Sequence, residues 1–422
     1  PSRGLGDVYK RQNVYRPVRV VSYDKESGEL VLHNYMDFDD LKDYVKISYE
    51  LTQDGLVISK GILSEFSVAS HGEGKTNLKI NVPENGKCYL KLIYHLKKEL
   101  PLLDEEHILG FDEIEVSKDD AKCKLAEKWM QKTAVDSELQ VNENDTQIHI
   151  KGREFAYTID RRTALFTEMK FAGREYLNHP MELNIWRAPT DNDMYIKAEW
   201  KKAHYDKAYT RAYTTEVVQG KHGVKIVSHA SVVAETVQKI LDVTITWKID
   251  ASGKIDADIE ATKDGEFPDL PRFGVRMFLD KKLADIRYFG MGPQESYRDK
   301  HQAASHGLYR ANVGDLHEDY IRPQENGSHY DCEYVELNNS RYGIVASAEK
   351  AFSFNASYYT QEELEKKTHN YELTESDSVV FCVDYALNGI GSNSCGPVVL
   401  DQYRFDDVLF RFQFTLIPYV KG

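Results

Sequence analysis

The feature that most constrains this chain is a two-residue alternation of apolar and polar side chains, interrupted every eight to twelve residues or so by turn signals. In the first part, Val18 to Tyr23 and Glu29 to His33 flank the turn Lys25-Glu-Ser-Gly28. Val45, Ile47, Tyr49 and Leu51 alternate, Asp54-Gly55 turns the chain, and Leu56-Val-Ile58 follows. Leu78, Ile80 and Val82 alternate up to Pro83, and Leu90, Leu92, Tyr94 and Leu96 alternate again. About seven short strands in roughly 100 residues predict an immunoglobulin-like β-sandwich over residues 13–117. No cysteine pair spans it to staple its sheets.

The pattern then changes. Residues 118–138 are rich in Lys, Glu and Ala and read as a linker, with a helical turn around Ala121–Met130. From residue 139 to 422 strands resume and are longer: Val217 to Val232, Ile240 to Ile249 and Lys254 to Ala261, with a last strand at Phe410 to Leu416. Long strands predict a large curved sheet rather than a second small sandwich. Short helices are expected only at Ile196–Lys207 and Thr360–Lys367, the latter opened by the capping box Thr360-Gln-Glu-Glu363. With no strand–helix alternation, a (β/α)₈ barrel is excluded from this chain and the fold class is all-β.

Composition narrows the partners. The 422 residues carry 54 basic and 68 acidic side chains, a net charge of −14, so nucleic acid is not an expected partner. No apolar run is long enough for a membrane-spanning helix. Five cysteines without a CxxC pair are expected as free, mostly buried thiols, with Cys332–Cys382 left open as a disulfide. That weakly favours the cytoplasm over the periplasm. Twenty-seven Tyr suit strands first and sugar stacking second. Residues 1–12 match nothing that follows and are read as a non-native leader, with the sequence proper expected from Asn13.

Four segments in the second part carry a resemblance. They are Asn184-Ile-Trp-Arg-Ala-Pro-Thr-Asp-Asn-Asp193, Tyr288-Phe-Gly-Met-Gly-Pro-Gln-Glu-Ser-Tyr-Arg-Asp299, Tyr320-Ile-Arg-Pro-Gln-Glu-Asn-Gly327 and Gly389-Ile-Gly-Ser-Asn-Ser-Cys-Gly-Pro397. In this order and spacing they are similar to the C-terminal domain of glycoside hydrolase family 2 β-galactosidases. His369 fits as well, and Asn34 to Phe38 and His107 to Phe111 resemble the sandwich domain that precedes it. The resemblance covers roughly residues 13–420. It implies a β-supersandwich shared with galactose mutarotases, and a retaining enzyme acting on terminal β-D-galactosides such as lactose. Such an enzyme uses two carboxyl groups about 5 Å apart. The resemblance places both on an upstream barrel, so no catalytic residue is expected in this chain. It also implies Mg²⁺ and Na⁺, or Ca²⁺, in the full-length enzyme, with none bound by this segment. The expected partners are the galactoside, the upstream barrel and further copies of the chain.

Candidate substrate contacts are Cys395, Asn393, Asp193, Glu325 and His329. The resemblance puts Cys395 on a loop reaching the leaving-group (aglycone) side, where some relatives carry Trp; Cys is a smaller wall with weaker stacking. Glu325 and His329 have the chemistry of an acid/base pair, although a plain Asn326-Gly327 turn is the simpler reading. Asp191-Asn192-Asp193 could ligate a hard cation or cap a turn, and capping ranks first. Arg187 is expected in an ion pair within the domain. Tyr195 stands where the family usually has Gly, which puts the following loop's behaviour in question.

Overall fold

The computed structural model describes residues 12–131, 138–236 and 239–421. The proposed leader lies outside them except for Gln12, as does part of the expected linker. The chain divides after Leu125 into two units, with Gln302–Leu308 returning to the first.

In the first unit, β1 (Val18–Tyr23), β2 (Glu29–Asn34), β3 (Val45–Gln53), β4 (Leu56–Leu63), β5 (Glu73–Asn77), β6 (Cys88–Leu96) and β7 (Ile108–Glu115) form two antiparallel sheets. Their orders are β1-β2-β5 and β4-β3-β6-β7. Alternate residues of both sheets, among them Leu30, Leu32, Ile47, Leu51, Leu90 and Leu92, bury one core, as the sandwich reading requires. The Asp54-Gly55 turn has positive φ at both residues, 50° and 79°, the backbone of a type I′ hairpin. The helix α1 (Leu41–Tyr44) is capped by Asp40, which accepts from Lys42 N. The returning segment adds His306, whose ring stacks on Tyr89 at 4.1 Å and reaches the Glu113 carboxylate at 2.7 Å.

One strand differs from expectation. The ladder partner of β2 is β5, not the alternating stretch from Leu78. Leu78 is buried, and Ile80 and Val82 pack against the core, but they follow the strand. Apolar alternation reports which face is buried; it does not report which backbone groups are paired.

The second unit begins within α2 (Lys124–Met130), at Ala126. A five-stranded meander comprises β8 (Gln140–Glu143), β9 (Gln147–Lys151), β10 (Phe155–Asp160), β11 (Leu165–Phe171) and β12 (Arg174–Glu175). The large sheet has twelve strands: β13 (Leu177–Asn184), β14 (Tyr209–Gln219), β15 (Gly223–Val233), β16 (Leu241–Asp250), β17 (Ile255–Lys263), β18 (Arg272–Asp280), β19 (Asp285–Gly292), β20 (Ser305–Asn312), β21 (Ser328–Asn338), β22 (Tyr342–Ser357), β23 (Ser378–Leu387) and β24 (Leu409–Val420). Its main order is β13-β18-β23-β22-β24-β17-β16-β15-β14, with β21 joining β22 and β19 joining β21. The stretch from Val217 to Val232 is a hairpin rather than one strand, closed where Gly220 N donates to Gly223 O.

Meander and sheet share a single core, in which Trp200 and Trp247 are fully buried. Their indole N–H groups donate to Asp269 O and Ala164 O, so neither is left unsatisfied. The helix α3 (Ile196–Lys202) stops at His204, whose φ of 56° is left-handed, and a 3₁₀ turn at Tyr205–Lys207 follows. The helix α4 (Gln361–Lys366) has Thr360 as its cap, accepting from Glu363 N at 3.1 Å. No helix of the described residues is long and apolar enough to cross a membrane.

Candidate functional site

The four sequence segments converge on one locus at the end of β13 and β23. β13 gives way after Asn184, whose side chain both accepts from Trp186 N (2.9 Å) and donates to Trp186 O (3.0 Å), turning the chain. Arg187 is then fully buried, its guanidinium over the Trp200 ring at 5.4 Å. It donates to Asp193 Oδ1 at 2.8 Å, the ion pair expected within the domain. Asp193 Oδ2 accepts from Thr190 N (2.7 Å) and Thr190 Oγ1 (2.9 Å). Burial raises the Asp193 pKa, against the opposing pull of Arg187 and Thr190.

Asp193 is thus taken up by protein donors as the third residue of the 3₁₀ turn Asp191–Asp193, whose cap residue is Thr190. Asp191 is exposed, and Asn192 is engaged by the 389–397 loop. The triplet therefore does not fit a hard cation, which needs several free oxygens at one point. Among the described residues no group of three or more His, Cys, Asp or Glu could hold a metal. Tyr195, 62% exposed, takes ordinary right-handed backbone (φ −92°, ψ −54°), so the position makes no demand for Gly.

The 389–397 loop leaves β23 over a small apolar cluster of Leu387, Ile390 and Tyr297. Asp299 accepts from Ile390 N at 2.9 Å and Gly391 N at 2.7 Å. Asn192 donates to Gly391 O at 2.6 Å and accepts from Ser394 Oγ at 2.8 Å. Arg187 Nη2 reaches Gly389 O at 3.3 Å. A local turn, Gly396 N to Ser392 O at 2.8 Å, carries Cys395. Cys395 is exposed and Asn393 half-buried, whereas the other four cysteines are buried, and no two are joined in a disulfide.

Glu325 and His329 do not form a couple. Glu325 Oε1 accepts from the fully buried Arg272 at 2.9 Å. His329 is stacked on Phe354 (5.0 Å) and edge-on to Tyr288, with Nδ1 and Nε2 toward the carbonyls of Gly327 and Pro293. Burial depresses its pKa to about 4, so it is a neutral core histidine near pH 7. Gly327 has a φ of +71°, and a Cβ there would lie 2.5 Å from Leu316 O, which accounts for the Asn-Gly pair as a turn.

Three residues escaped the sequence reading. Arg272 faces a second carboxylate, Asp384, at 3.2 Å. Burial lifts Asp384 to about 7, Arg272 opposing and Glu325 reinforcing the rise. A lone acid in the apolar strand Ser378–Leu387 was the available signal. Asp299 ends the segment Tyr288–Asp299.

Two family models match. The first, beta galactosidase small chain, covers residues 151–416, most of the second unit. The chain belongs to the beta galactosidase small chain family. The second, beta-galactosidase domain 4, covers residues 30–117 of the sandwich. Among curated relatives of this small-chain protein, the beta-galactosidase of Actinobacillus pleuropneumoniae is 42% identical over 408 residues, 96% of this chain and 39% of that protein. That of Staphylococcus xylosus is 29% identical over 411 residues, 97% of this chain and 40% of that protein. The chain therefore spans about two fifths of the length of these relatives. Among solved structures, galactose 1-epimerase from Lactobacillus acidophilus aligns with a TM-score of 0.36 and 9% identity, over 69% of this chain and all of that one. That likeness is too loose to bear on chemistry.

Proposed function

We propose that this chain is the C-terminal part of a retaining β-galactosidase acting on terminal β-D-galactosides such as lactose. Its role is to support an upstream catalytic barrel and to form the aglycone side of the pocket. The observation that carries the reading is the exposed, doubly tethered loop presenting Cys395. Tethering matters because a wall must hold its place to favour one acceptor over another. Both catalytic carboxyl groups of such an enzyme belong to the barrel, as do the main ligands of any Mg²⁺, Na⁺ or Ca²⁺. A reducing, cytoplasmic setting belongs to the same proposal and is supported by the five cysteines, no two of which are joined in a disulfide.

Two measurements test it. The purified chain is expected to leave a chromogenic β-galactoside unhydrolysed; turnover abolished by Glu325→Gln would overturn the reading. Exchanged for the matching segment of the Actinobacillus enzyme, the chain is expected to restore hydrolysis. There, Cys395→Trp should shift the partition between water and sugar acceptors while leaving galactose release from an activated aryl galactoside nearly unchanged. An unaltered partition would remove Cys395 from the aglycone wall.

The alternative, a stand-alone carbohydrate-binding or mutarotase-like module, draws on one cavity of about 190 Å³ in the second unit, lined in part by Tyr297, Arg298, Tyr330, Asp331, Tyr385 and Asp407. Asp331 there holds a φ of 55°, unusual for a non-glycine. Calorimetric titration with galactose separates the readings: saturable heat lost in Tyr385→Ala favours the module.

A further inference from the structure

We propose that Asp299 is the positioning residue of the Cys395 loop: its carboxylate, more than any contact made by the loop's exposed tip, fixes where Cys395 stands. The proposal rests on the reading of that loop as a pocket wall, and it assigns the wall its anchor.

Both oxygens of Asp299 are engaged, Oδ1 by Ile390 N and Oδ2 by Gly391 N, at 2.9 and 2.7 Å. One carboxylate receiving two consecutive backbone N–H groups is a charge-assisted, two-point grip that fixes direction as well as distance. The backbone of Asp299 is itself held. Tyr297 and Lys300 exchange N–H···O bonds of 2.9 and 3.0 Å around it, Tyr297 is buried, and Lys300 Nζ is tied to Glu295 at 2.5 Å. The grip is close enough to dictate sequence on the other side. A Cβ on Gly389 would lie 2.8 Å from Asp299 Oδ2, and one on Gly391, at φ +70°, would lie 2.6 Å from Val399. Asn192 supplies a second tether further along the loop. Beyond these anchors, 394–398 are all exposed, and their internal support is local: the Ser392–Gly396 turn, the Ser392 Oγ–Pro397 O bond, and long contacts of Cys395 N to Ser392 O (3.4 Å) and of Ser394 Oγ to Cys395 Sγ (3.9 Å). Asparagine cannot replace the carboxylate. Its amide would offer one oxygen and turn a donor toward the second N–H.

The exposed thiol provides the probe. In the full 422-residue chain a nitroxide label attaches at Cys395, because Cys88, Cys123, Cys332 and Cys382 are buried; Cys395→Ser checks that selectivity. The expected continuous-wave EPR spectrum is dominated by an immobilised component on the nanosecond scale. Asp299→Asn and Asp299→Ala are expected to lose most of that component. Gly389→Ala, which attacks the same contact from the loop side without touching the charge, should do the same. Asn192→Ala should give a smaller change in the same direction. Asp401→Ala, in an exposed ion pair with Arg404 nearby, should leave the spectrum as it is. Circular dichroism melts identify any variant that fails to fold, and Gly389→Ala then stands in for it. An unchanged spectrum in folded Asp299→Asn or Gly389→Ala overturns the proposal. Because no galactoside is involved, loosened label with an unaltered acceptor partition in the Cys395→Trp enzyme would sink the pocket-wall reading and leave the anchor standing.

Discussion

Two arginines are fully buried in the second unit and are treated differently. Arg187 meets one carboxylate, Asp193, six residues away, whose remaining acceptor is filled by Thr190. Arg272 meets two, Glu325 and Asp384, drawn from distant segments. Neither oxygen of Asp384 receives a hydrogen bond of good geometry. In the first centre both oxygens of the carboxylate are used, and what is left without a partner is on the cation, Arg187 Nε and Nη1. The second is held together by sheet assembly, one cation facing two carboxyl groups, of which Asp384 is pushed by burial toward its protonated form. Desolvation is repaid only where geometry and extra hydrogen bonds are good, so the second centre is the one most exposed to perturbation.

That contrast can be broken by mutation. Arg272→Met should cost most, about 3–5 kcal/mol in urea unfolding followed by Trp fluorescence, because it strands two buried carboxylates. Asp193→Asn keeps one acceptor for Thr190 but turns its NH2 toward Arg187 and leaves that buried cation without a counter-charge, so about 3 kcal/mol is expected. Should the second loss equal or exceed the first, the two centres are alike after all. A finer test uses pH. Between the unfolded carboxyl value of about 4 and the folded value of about 7, the folded chain keeps a proton on Asp384 that the unfolded chain has released. Stability from this group is therefore present at low pH and falls as pH rises through that window, by no more than about 1.4 kcal/mol per pH unit. Asp384→Asn should flatten that slope and match the parent best at or below about pH 4, where the carboxyl is protonated in both states; an unchanged slope would show that Asp384 does not hold the proton.

The same contrast explains what could be read in advance. Arg187 and Asp193 sit in one motif, so an ion pair within the domain was legible, though not whether Asp191 or Asp193 would make it; the Asp54-Gly55 hairpin and the Thr360 cap were legible too. All three are local arrangements whose chemistry is written within a few residues. Arg272 and Asp384 become neighbours only through the register of β18 with β23, which a single sequence does not state. Asp299 was visible as a residue, but its task is set by backbone N–H groups some ninety positions on, and backbone groups leave no mark in a sequence. The strand Glu73–Asn77 was missed for another reason. It lies at a sheet edge, carries Glu, Gly, Lys, Thr and Asn, and so lacks the alternation that identifies a half-buried strand.

The place of β24 has a consequence for how the molecule is made. This strand follows every other described strand in the chain, yet it lies inside the large sheet, paired with β17 on one side and β22 on the other. As the chain leaves the ribosome, the β14–β17 group and the β22–β23 group can each form from neighbours already synthesised. Until Leu409–Val420 emerges, each keeps an open edge, that of β17 facing Ile255–Thr262 outward with Ile255, Ala257, Ile259 and Ala261 unburied by their final partner. Pairing of this late strand with both groups is therefore expected to be slow, because its contacts are so far apart in sequence. Those open edges are where a chaperone, or a second unfinished chain, would find its hold.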